Sequence, residues 1–243
     1  MEQIIAFGGG GLSMTPDDLA MDHYILEQTG KSQPSVCFLP TAEGDSPESI
    51  VEFFSAYSQL ACRPSYLALF GTIPSDLEAF VLEHDVIYVG GGRTRNMLAL
   101  WREWGLVEIL RKALKKGVIL SGVSAGAVCW FQQTVTVVPG KLGVLECLGF
   151  LDGSYFPHYE GPSAQRSAYH QVVEQGDILP GFGVEDGAAL HFVDGKLHRV
   201  VRSRPESLAY AVEKIAGEVI AQPLESTYLM DSGRKSSTFS IRD

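Results

Sequence analysis

The sequence predicts an α/β fold: three layers, with a mostly parallel sheet covered by helices on both faces. Short apolar runs alternate along the first half of the chain with segments that carry helix-start signals. These runs are mostly apolar and do not alternate with polar residues, as is typical of strands buried on both faces of a parallel sheet. Some of them end in glycine clusters, at the edge where such sheets bind ligands.

Five apolar runs predict the strands of the parallel sheet. Each run spans only four to six residues, which suits a strand better than a helix. The first and fourth runs lead into glycine clusters, Gly8 to Gly11 and Gly90 to Gly92, which predict loops, the first of them flexible. In order, the runs are residues 3–7, 35–39, 66–69, 85–89 and 118–123.

Capping residues predict the helices between these strands. Serine or threonine followed by proline and acidic residues opens the first two helices, because the hydroxyl can cap free N–H groups and proline fits the first turn. The last of these helices is predicted to end at the lysines before Gly117, because cations are favoured at a helix C-terminus and glycine is favoured as its cap. The predicted helices begin at residues 15, 46, 75, 94 and 106, and four of them end near 30, 58, 104 and 116.

The motif Gly-x-Ser-x-Gly, at residues 122–126, directly follows the fifth strand. A strand that turns sharply into a helix lifts one side chain out of the sheet, and small flanking residues permit that turn. The lifted side chain would be Ser124, beside backbone N–H groups that can stabilise an oxyanion. The alternative is structural, since small residues also occur wherever a helix packs closely on a sheet.

The second half of the chain no longer alternates strands with helices and is predicted to consist mainly of strands and loops. A strand is expected at residues 134–138, then a loop-rich stretch to Gly161 and a helix over 163–174. Segments 181–184, 188–193 and 196–201 predict a set of hairpins, and 209–220, broken at Gly217, predicts another. We expect one domain over residues 1–230 and a flexible polar tail over 231–243.

Composition excludes several functional classes. A net charge of −10 without a long basic block argues against nucleic acid, and no apolar stretch approaches the ~20 residues of a membrane span. The N-terminus, Met1-Glu2-Gln3, leads straight into a strand, so no signal peptide is expected. Four scattered cysteines without a Cys-x-x-Cys pair predict reduced thiols in a cytoplasmic protein. No metal-ligand spacing is present, so neither a metal nor a cofactor is expected.

A nucleophilic serine needs a base and a third group that orients the base. Of the six histidines, His158 lies in a loop with aromatic neighbours, whereas the others lie in predicted helices or hairpin strands. Glu185 and Asp186 follow a short apolar strand, where one carboxylate could reach a histidine. The alternatives are a surface histidine and an ordinary Asp-Gly turn.

Four segments together resemble the peptidase E family of serine peptidases, which includes aspartyl dipeptidases and cyanophycinase. They are Val89-Gly90-Gly91-Gly92 with Thr94, residues 122–127, Pro157-His158-Tyr159, and residues 183–187. The resemblance spans residues 3–202 and implies a fold similar to class I glutamine amidotransferase domains. It implies the following site: Ser124 as nucleophile, His158 as base, Asp186 or, as second choice, Glu185 as the acid, and the N–H groups of Gly91 and Ala125 as the oxyanion hole.

The resemblance also implies a substrate, a short peptide with an N-terminal aspartate. Its carboxylate needs a cation, for which Arg166 is the nearest match to the family's arginine, with Arg93 and Arg95 as alternatives beside Gly92. Arg93 stands where the family usually has asparagine. Two other functions stay open, a serine esterase and a non-catalytic binding protein of the same fold. We expect a small peptide as the partner, no nucleic acid and no membrane, and allow for a homodimer.

Overall fold

The computed structural model describes residues 1–10, 18–138, 141–160 and 163–229, except the side chains of residues 137, 138, 141 and 142. The strands in these residues are β1 Gln3–Phe7, β2 Ser35–Leu39, β3 Arg63–Tyr66, β4 Val86–Val89, β5 Ile119–Val123, β6 Gln133–Val138, β7 Lys141–Glu146, β8 Ser154–Pro157, β9 Gly181–Val184, β10 Ala188–Val193, β11 Lys196–Arg202, β12 Ala209–Ile215, β13 Glu218–Pro223 and β14 Thr227–Tyr228. The α-helices are α1 Ala20–Gln28, α2 Pro47–Tyr57, α3 Leu77–Leu82, α4 Thr94–Glu103, α5 Leu106–Lys115, α6 Ala125–Val128 and α7 Ala164–Gln175.

The larger sheet has the order β14-β11-β10-β1-β5-β4-β2-β3. Strands β1 to β5 are mutually parallel, and β10 joins β1 in the antiparallel sense. Each face of this sheet is covered by its own core. Ile5 packs with Ile25 of α1 and Phe53 of α2 on one face, while Ile4 packs with Trp101 of α4 and Leu110 of α5 on the other. The predicted three-layer α/β fold is therefore confirmed.

The start signals of α2, α3 and α7 cap their helices, whereas α1 begins at Ala20, later than the predicted residue 15, with Leu19 at its N-cap and no side-chain cap. Ser46 Oγ accepts a hydrogen bond from the Ser49 N–H, Asp76 Oδ1 from the Ala79 N–H, and Ser163 Oγ from the Arg166 N–H. Gly117 has a φ of +89° just after α5, where glycine adopts a left-handed conformation without strain. The predicted start of the first helix at residues 15–17 lies outside the described residues, as do Gly11, Gly161 and the tail 231–243.

The third strand lies earlier than predicted, at Arg63–Tyr66 instead of 66–69. The apolar residues Leu67 and Leu69 are buried, but they follow the strand. As the edge of the sheet, β3 pairs only with β2, so its residues need not be apolar and Pro64 is tolerated.

A second sheet, with the order β13-β12-β9-β8-β6-β7, replaces two predictions for the later half. The stretch predicted to be loop-rich contains β7 and β8. Strand β9 pairs with β8 and β12 instead of forming hairpins with the next two strands. Close approach explains its placement, since a β-carbon on Gly181 would overlap the Ser154 carbonyl oxygen. The predicted hairpins β10–β11 and β12–β13 are present.

Aromatic contacts join the two sheets. The Phe182 ring of β9 lies 5.7 Å from the Phe192 ring of β10, and the Tyr155 hydroxyl of β8 donates to the Ala6 carbonyl of β1 at 3.3 Å. This packing places the end of β8, and the loop after it, beside the ends of β1 and β5. Within the described residues, no helix is long and apolar enough to cross a membrane.

Candidate active site

The turn after β5 holds Ser124 in an unusual backbone conformation, with φ of +52° and ψ of −113°. The positive φ is strained for a residue with a side chain, and such strain persists where the surroundings enforce it. Glycine on each side makes the turn possible. A β-carbon on Gly122 would lie 2.5 Å from the Gly126 carbonyl oxygen, and one on Gly126 would overlap the Val89 carbonyl oxygen. The glycines of the motif are therefore required by close backbone packing.

Ser124, His158 and Asp186 form a continuous hydrogen-bonded chain. His158 Nε2 lies 3.0 Å from Ser124 Oγ, and His158 Nδ1 lies 2.6 Å from Asp186 Oδ1. An ionised carboxylate can only accept, so Nδ1 carries the proton that is donated to Asp186. Nε2 of the neutral ring is then the acceptor for the Ser124 hydroxyl.

The backbone around His158 aims the ring towards Ser124. His158 has a φ of +52°, again in the left-handed region, directly after β8. The next residue, Tyr159, is fully buried, and its N–H donates to the Val184 carbonyl at 3.1 Å. The buried neighbour fixes the chain, while the His158 side chain stays 45 % exposed at the mouth of the site.

Asp186 and Glu185 point to different partners. Asp186 faces His158, while its N–H donates to Glu160 and its carbonyl accepts from Ser207 Oγ at 2.5 Å. Glu185 instead accepts from the Leu208 N–H at 2.9 Å and from the Tyr210 hydroxyl at 3.3 Å. Of the two acidic residues considered from the sequence, the structure brings Asp186 to the histidine.

Gly9 is a site residue that sequence reasoning missed. The backbone does not loop away after β1, because the Gly8 N–H donates to the Ala188 carbonyl and the Gly9 carbonyl accepts from the Gly187 N–H. A β-carbon on Gly9 would overlap Asp186 Oδ1 and lie 2.8 Å from His158 Cε1. The available signal was the glycine cluster at a strand end, which we interpreted as a flexible loop.

His158 and Asp186 shift each other's pKa. The hydrogen bond to Asp186 raises the pKa of His158 above its ordinary value, against partial burial, which lowers it. Burial alone would raise the pKa of Asp186, but the hydrogen bond and charge of His158 outweigh it and hold that pKa below its ordinary range. Burial raises the pKa of Glu160, next to Asp186. Asp186 is therefore ionised at neutral pH and favours a protonated His158.

A cavity of about 270 Å³ opens beside Ser124 and His158. Gly91 also lines this cavity. It lies beside Ser124, since a β-carbon on Gly91 would be 3.6 Å from Ser124 Cβ. The N–H groups of Gly91 and Ala125 make no hydrogen bond to the described residues. Two carboxylate residues, Glu43 and Glu52, also line the cavity, and neither was considered from the sequence.

The arginines suggested as substrate clamps lie away from this cavity. Arg166 stacks its guanidinium 4.1 Å above the Tyr159 ring centre and 5.6 Å from that of Tyr210. Arg93 and Gly92 line a neighbouring cavity, which shares Glu43 with the first. Among the described residues, no three His, Cys, Asp or Glu side chains cluster so that they could hold a metal ion.

Comparison with known proteins identifies the family. The model of peptidase family S51 matches residues 4–200, which include Ser124, His158 and Asp186. The chain belongs to peptidase family S51, the peptidase E family. A curated relative, the "Uncharacterized peptidase YgaJ" of Bacillus subtilis (strain 168), is 52% identical over 229 residues, which are 94% of this chain and 100% of that protein.

Solved structures of other proteins share the fold of this S51 peptidase. A crystal structure of a peptidase from an acI-B1 Actinobacterium covers 93% of this chain and 95% of its own, with a TM-score of 0.67 and 17% identity. A candidate peptidase E protein from Listeria monocytogenes EGD-e covers 93% of this chain and 100% of its own, with a TM-score of 0.59 and 18% identity. At these identities the comparison concerns the fold alone.

Proposed function

We propose that this S51 peptidase is a serine-type exopeptidase that hydrolyses short peptides through Ser124, His158 and Asp186. The observation that carries the proposal is the hydrogen-bonded chain from Ser124 Oγ through both nitrogens of His158 to Asp186, at 3.0 and 2.6 Å. Nucleophile, base and orienting acid each stand within reach of the next, as acyl transfer by a serine requires.

The order of proton transfers follows from this geometry. Ser124 Oγ attacks the peptide carbonyl carbon while its proton passes to His158 Nε2. The imidazolium, stabilised by Asp186, then gives that proton to the leaving amine as the C–N bond breaks, which leaves an acyl-enzyme. Water attacks the ester with His158 again as base, and the acid product leaves as Ser124 regains its proton.

Two backbone donors are suited to the negative charge that develops on the carbonyl oxygen. The Ala125 N–H belongs to the residue directly after the nucleophile. The Gly91 N–H belongs to the loop after β4, and a β-carbon on Gly91 would contact the Ser124 side chain. Both N–H groups are uncommitted to other described residues. Preorganised donors of this kind stabilise the tetrahedral intermediate more than the planar substrate.

The preference for an N-terminal aspartate, expected from the family resemblance, has weaker support. It requires a cation at the site, and Arg93, which is exposed and lines the neighbouring cavity, is one candidate. Arg166 is engaged with the Tyr159 ring. The carboxylates of Glu43 and Glu52 in the cavity beside Ser124 would repel an aspartate side chain.

A reducing compartment suits the cysteines. Cys37, Cys62, Cys129 and Cys147 are all free thiols, and burial raises the pKa of Cys37 and Cys147 to about 12, which suppresses the reactive thiolate. We therefore propose a cytoplasmic setting.

The reaction is tested by incubating wild type, Ser124→Ala and His158→Gln with dipeptides and with p-nitrophenyl acetate. The proposal expects dipeptide hydrolysis by wild type and a loss of about 10³-fold or more in each variant. Cleavage of the ester but of no peptide would favour an esterase. Full peptidase activity in Ser124→Ala would overturn the assignment.

A further inference from the structure

Two carboxylates from separate elements converge on the cavity beside Ser124. Glu43 ends a single 3₁₀ turn, Thr41–Glu43, which follows β2, and Glu52 lies on α2. The same cavity is lined by Ser124 and His158. A side chain that enters it would belong to the residue whose carbonyl Ser124 attacks.

Local contacts hold the Glu43 turn in place. Ser49 Oγ of α2 donates a hydrogen bond to the Glu43 carboxylate. The Arg93 N–H donates to the Ala42 carbonyl at 2.7 Å. A β-carbon on Gly92 would overlap that same carbonyl oxygen and lie 2.9 Å from Glu43 Cγ. The carboxylate is thus fixed relative to the loop that carries Gly91.

Nothing in the described part of the chain neutralises these two charges. Its three ion pairs lie elsewhere: Lys31 with Asp85, Lys112 with Glu78, and His158 with Asp186. Neither Glu43 nor Glu52 has a lysine or arginine nitrogen within ion-pair distance there. Within the described residues, the cavity therefore holds two carboxylates outside any ion pair, in a protein whose net charge is −10.

Much of the remaining wall is apolar, apart from Ser49 and the hydroxyl group of Tyr88. Phe38, Tyr88 and Val123 are 3%, 1% and 3% exposed, and each lines the cavity. Apolar walls with carboxylates nearby suit a side chain that combines a methylene stem with a cationic end. A volume of about 270 Å³ is below the range of about 300–1,000 Å³ that is typical of sites for drug-sized ligands. It is therefore of a size for a single long side chain.

We propose that this cavity selects peptides with a lysine or arginine immediately before the scissile bond, and that Glu43 and Glu52 determine this selectivity. The inference rests on the proposed function, because it takes Ser124 as the attacking group. Aspartate in this position would meet two like charges beside apolar walls, so its peptides should be poor substrates.

The test compares Lys-Ala with norleucine-Ala, which has a similar stem without the ammonium group, and with Asp-Ala. The wild type should prefer Lys-Ala over norleucine-Ala by about tenfold or more in kcat/KM, and less so at high salt. Glu52→Gln and Glu43→Gln should each lower that ratio about three- to tenfold. Glu52→Lys should shift selectivity towards Asp-Ala. Glu103→Gln, which removes an exposed carboxylate at the end of α4, should leave the ratio unchanged.

The outcomes separate this inference from the proposed function. Equal losses on Lys-Ala and norleucine-Ala in the glutamine variants would mean that the carboxylates bind the substrate's α-ammonium group, and would overturn the side-chain selectivity. A wild-type preference for Asp-Ala or norleucine-Ala would overturn it too. If no dipeptide is cleaved, the proposed function fails. Calorimetric titration of Ser124→Ala with Lys-Ala and norleucine-Ala then decides the inference alone, since it predicts tighter binding of Lys-Ala that Glu52→Gln weakens.

Discussion

Gly9 and Asp186 lie so close that a β-carbon on Gly9 would overlap Oδ1 of the Asp186 carboxylate. The two residues form an isolated parallel bridge, and the Gly9 carbonyl accepts from the Gly187 N–H at 2.9 Å. The end of β1 thus packs against His158 and Asp186. A glycine here is required by the position of Asp186, since its own φ is not in the left-handed region.

Gly9→Ala should separate Asp186 from His158 and lower kcat by about 10²-fold or more, because misplacement of about 1 Å at a reacting group is that costly. The measurement is steady-state hydrolysis, with thermal unfolding to show that the variant is folded. Gly71→Ala is the matched control, since its β-carbon would meet only Ala68 Cβ at 3.9 Å. Wild-type kcat in folded Gly9→Ala would contradict this role.

The pH dependence of hydrolysis should report His158. The base must be neutral to accept the Ser124 proton, and the hydrogen bond to Asp186 raises its pKa. Activity should therefore rise with pH and reach half its maximum above about 6.5, the ordinary histidine value. The measurement is kcat/KM from pH 5 to 9. A midpoint below the ordinary value would contradict the assignment.

Asp186→Asn should lower kcat by about 10⁴-fold, because the asparagine no longer fixes the required tautomer. It should also lower the pKa of His158, since the interaction that raises it is gone. Proton NMR titration of the His158 ring, assigned with His158→Gln, measures the pKa directly. Glu185→Gln is the control, as that carboxylate contacts Leu208 and Tyr210. A fall in the His158 pKa in Glu185→Gln, but not in Asp186→Asn, would identify Glu185 as the acid.

His191 should make the protein less stable in mild acid. Its ring is 1% exposed and lies between the Tyr24 hydroxyl at 2.8 Å and Gln3 Oε1 at 3.0 Å, and burial lowers its pKa to about 4. The unfolded chain binds this proton near pH 6.5, so the stabilisation is complete above that pH and is lost as pH falls towards 4.

Urea unfolding of wild type and His191→Asn between pH 7 and 4 tests this prediction. The free energy of unfolding should fall less steeply with acidification in His191→Asn than in wild type, whatever the difference between them at pH 7. Parallel pH dependences would show that His191 does not titrate on unfolding.

Local signals were sufficient to predict the parallel half of the fold. Apolar runs such as residues 86–89 are buried on both faces, and capping residues such as Ser46 and Asp76 accept hydrogen bonds from the N–H groups that their patterns imply. The second sheet was harder because β9 pairs with β8 and β12, which are distant from it in the sequence. Strand β8 has four residues, and β9 is placed by glycines whose neighbours are distant in sequence.

The part of the candidate site that could be predicted consists of residues whose type and motif indicate a catalytic role. Ser124, His158 and Asp186 were named from motifs, and the structure places them in contact. Ser124 and His158 are 34 residues apart along the chain, and His158 and Asp186 are 28 apart. Gly9, Glu43 and Glu52 were given no role, because a glycine cluster at a strand end does not reveal which glycine meets the acid, and exposed glutamates carry no local signal. Their proximity to Ser124 or His158 arises only when β1, β2 and α2 pack together.

Covalent labelling is the most direct test of whether Ser124 is the nucleophile. Wild type, Ser124→Ala and Ser55→Ala, an exposed serine of α2, would be treated with a fluorophosphonate and analysed by intact-mass spectrometry and peptide mapping. We predict one adduct on wild type and on Ser55→Ala, mapped to Ser124, and none on Ser124→Ala. An adduct of equal yield on Ser124→Ala, or none on wild type, would show that Ser124 is not the nucleophile.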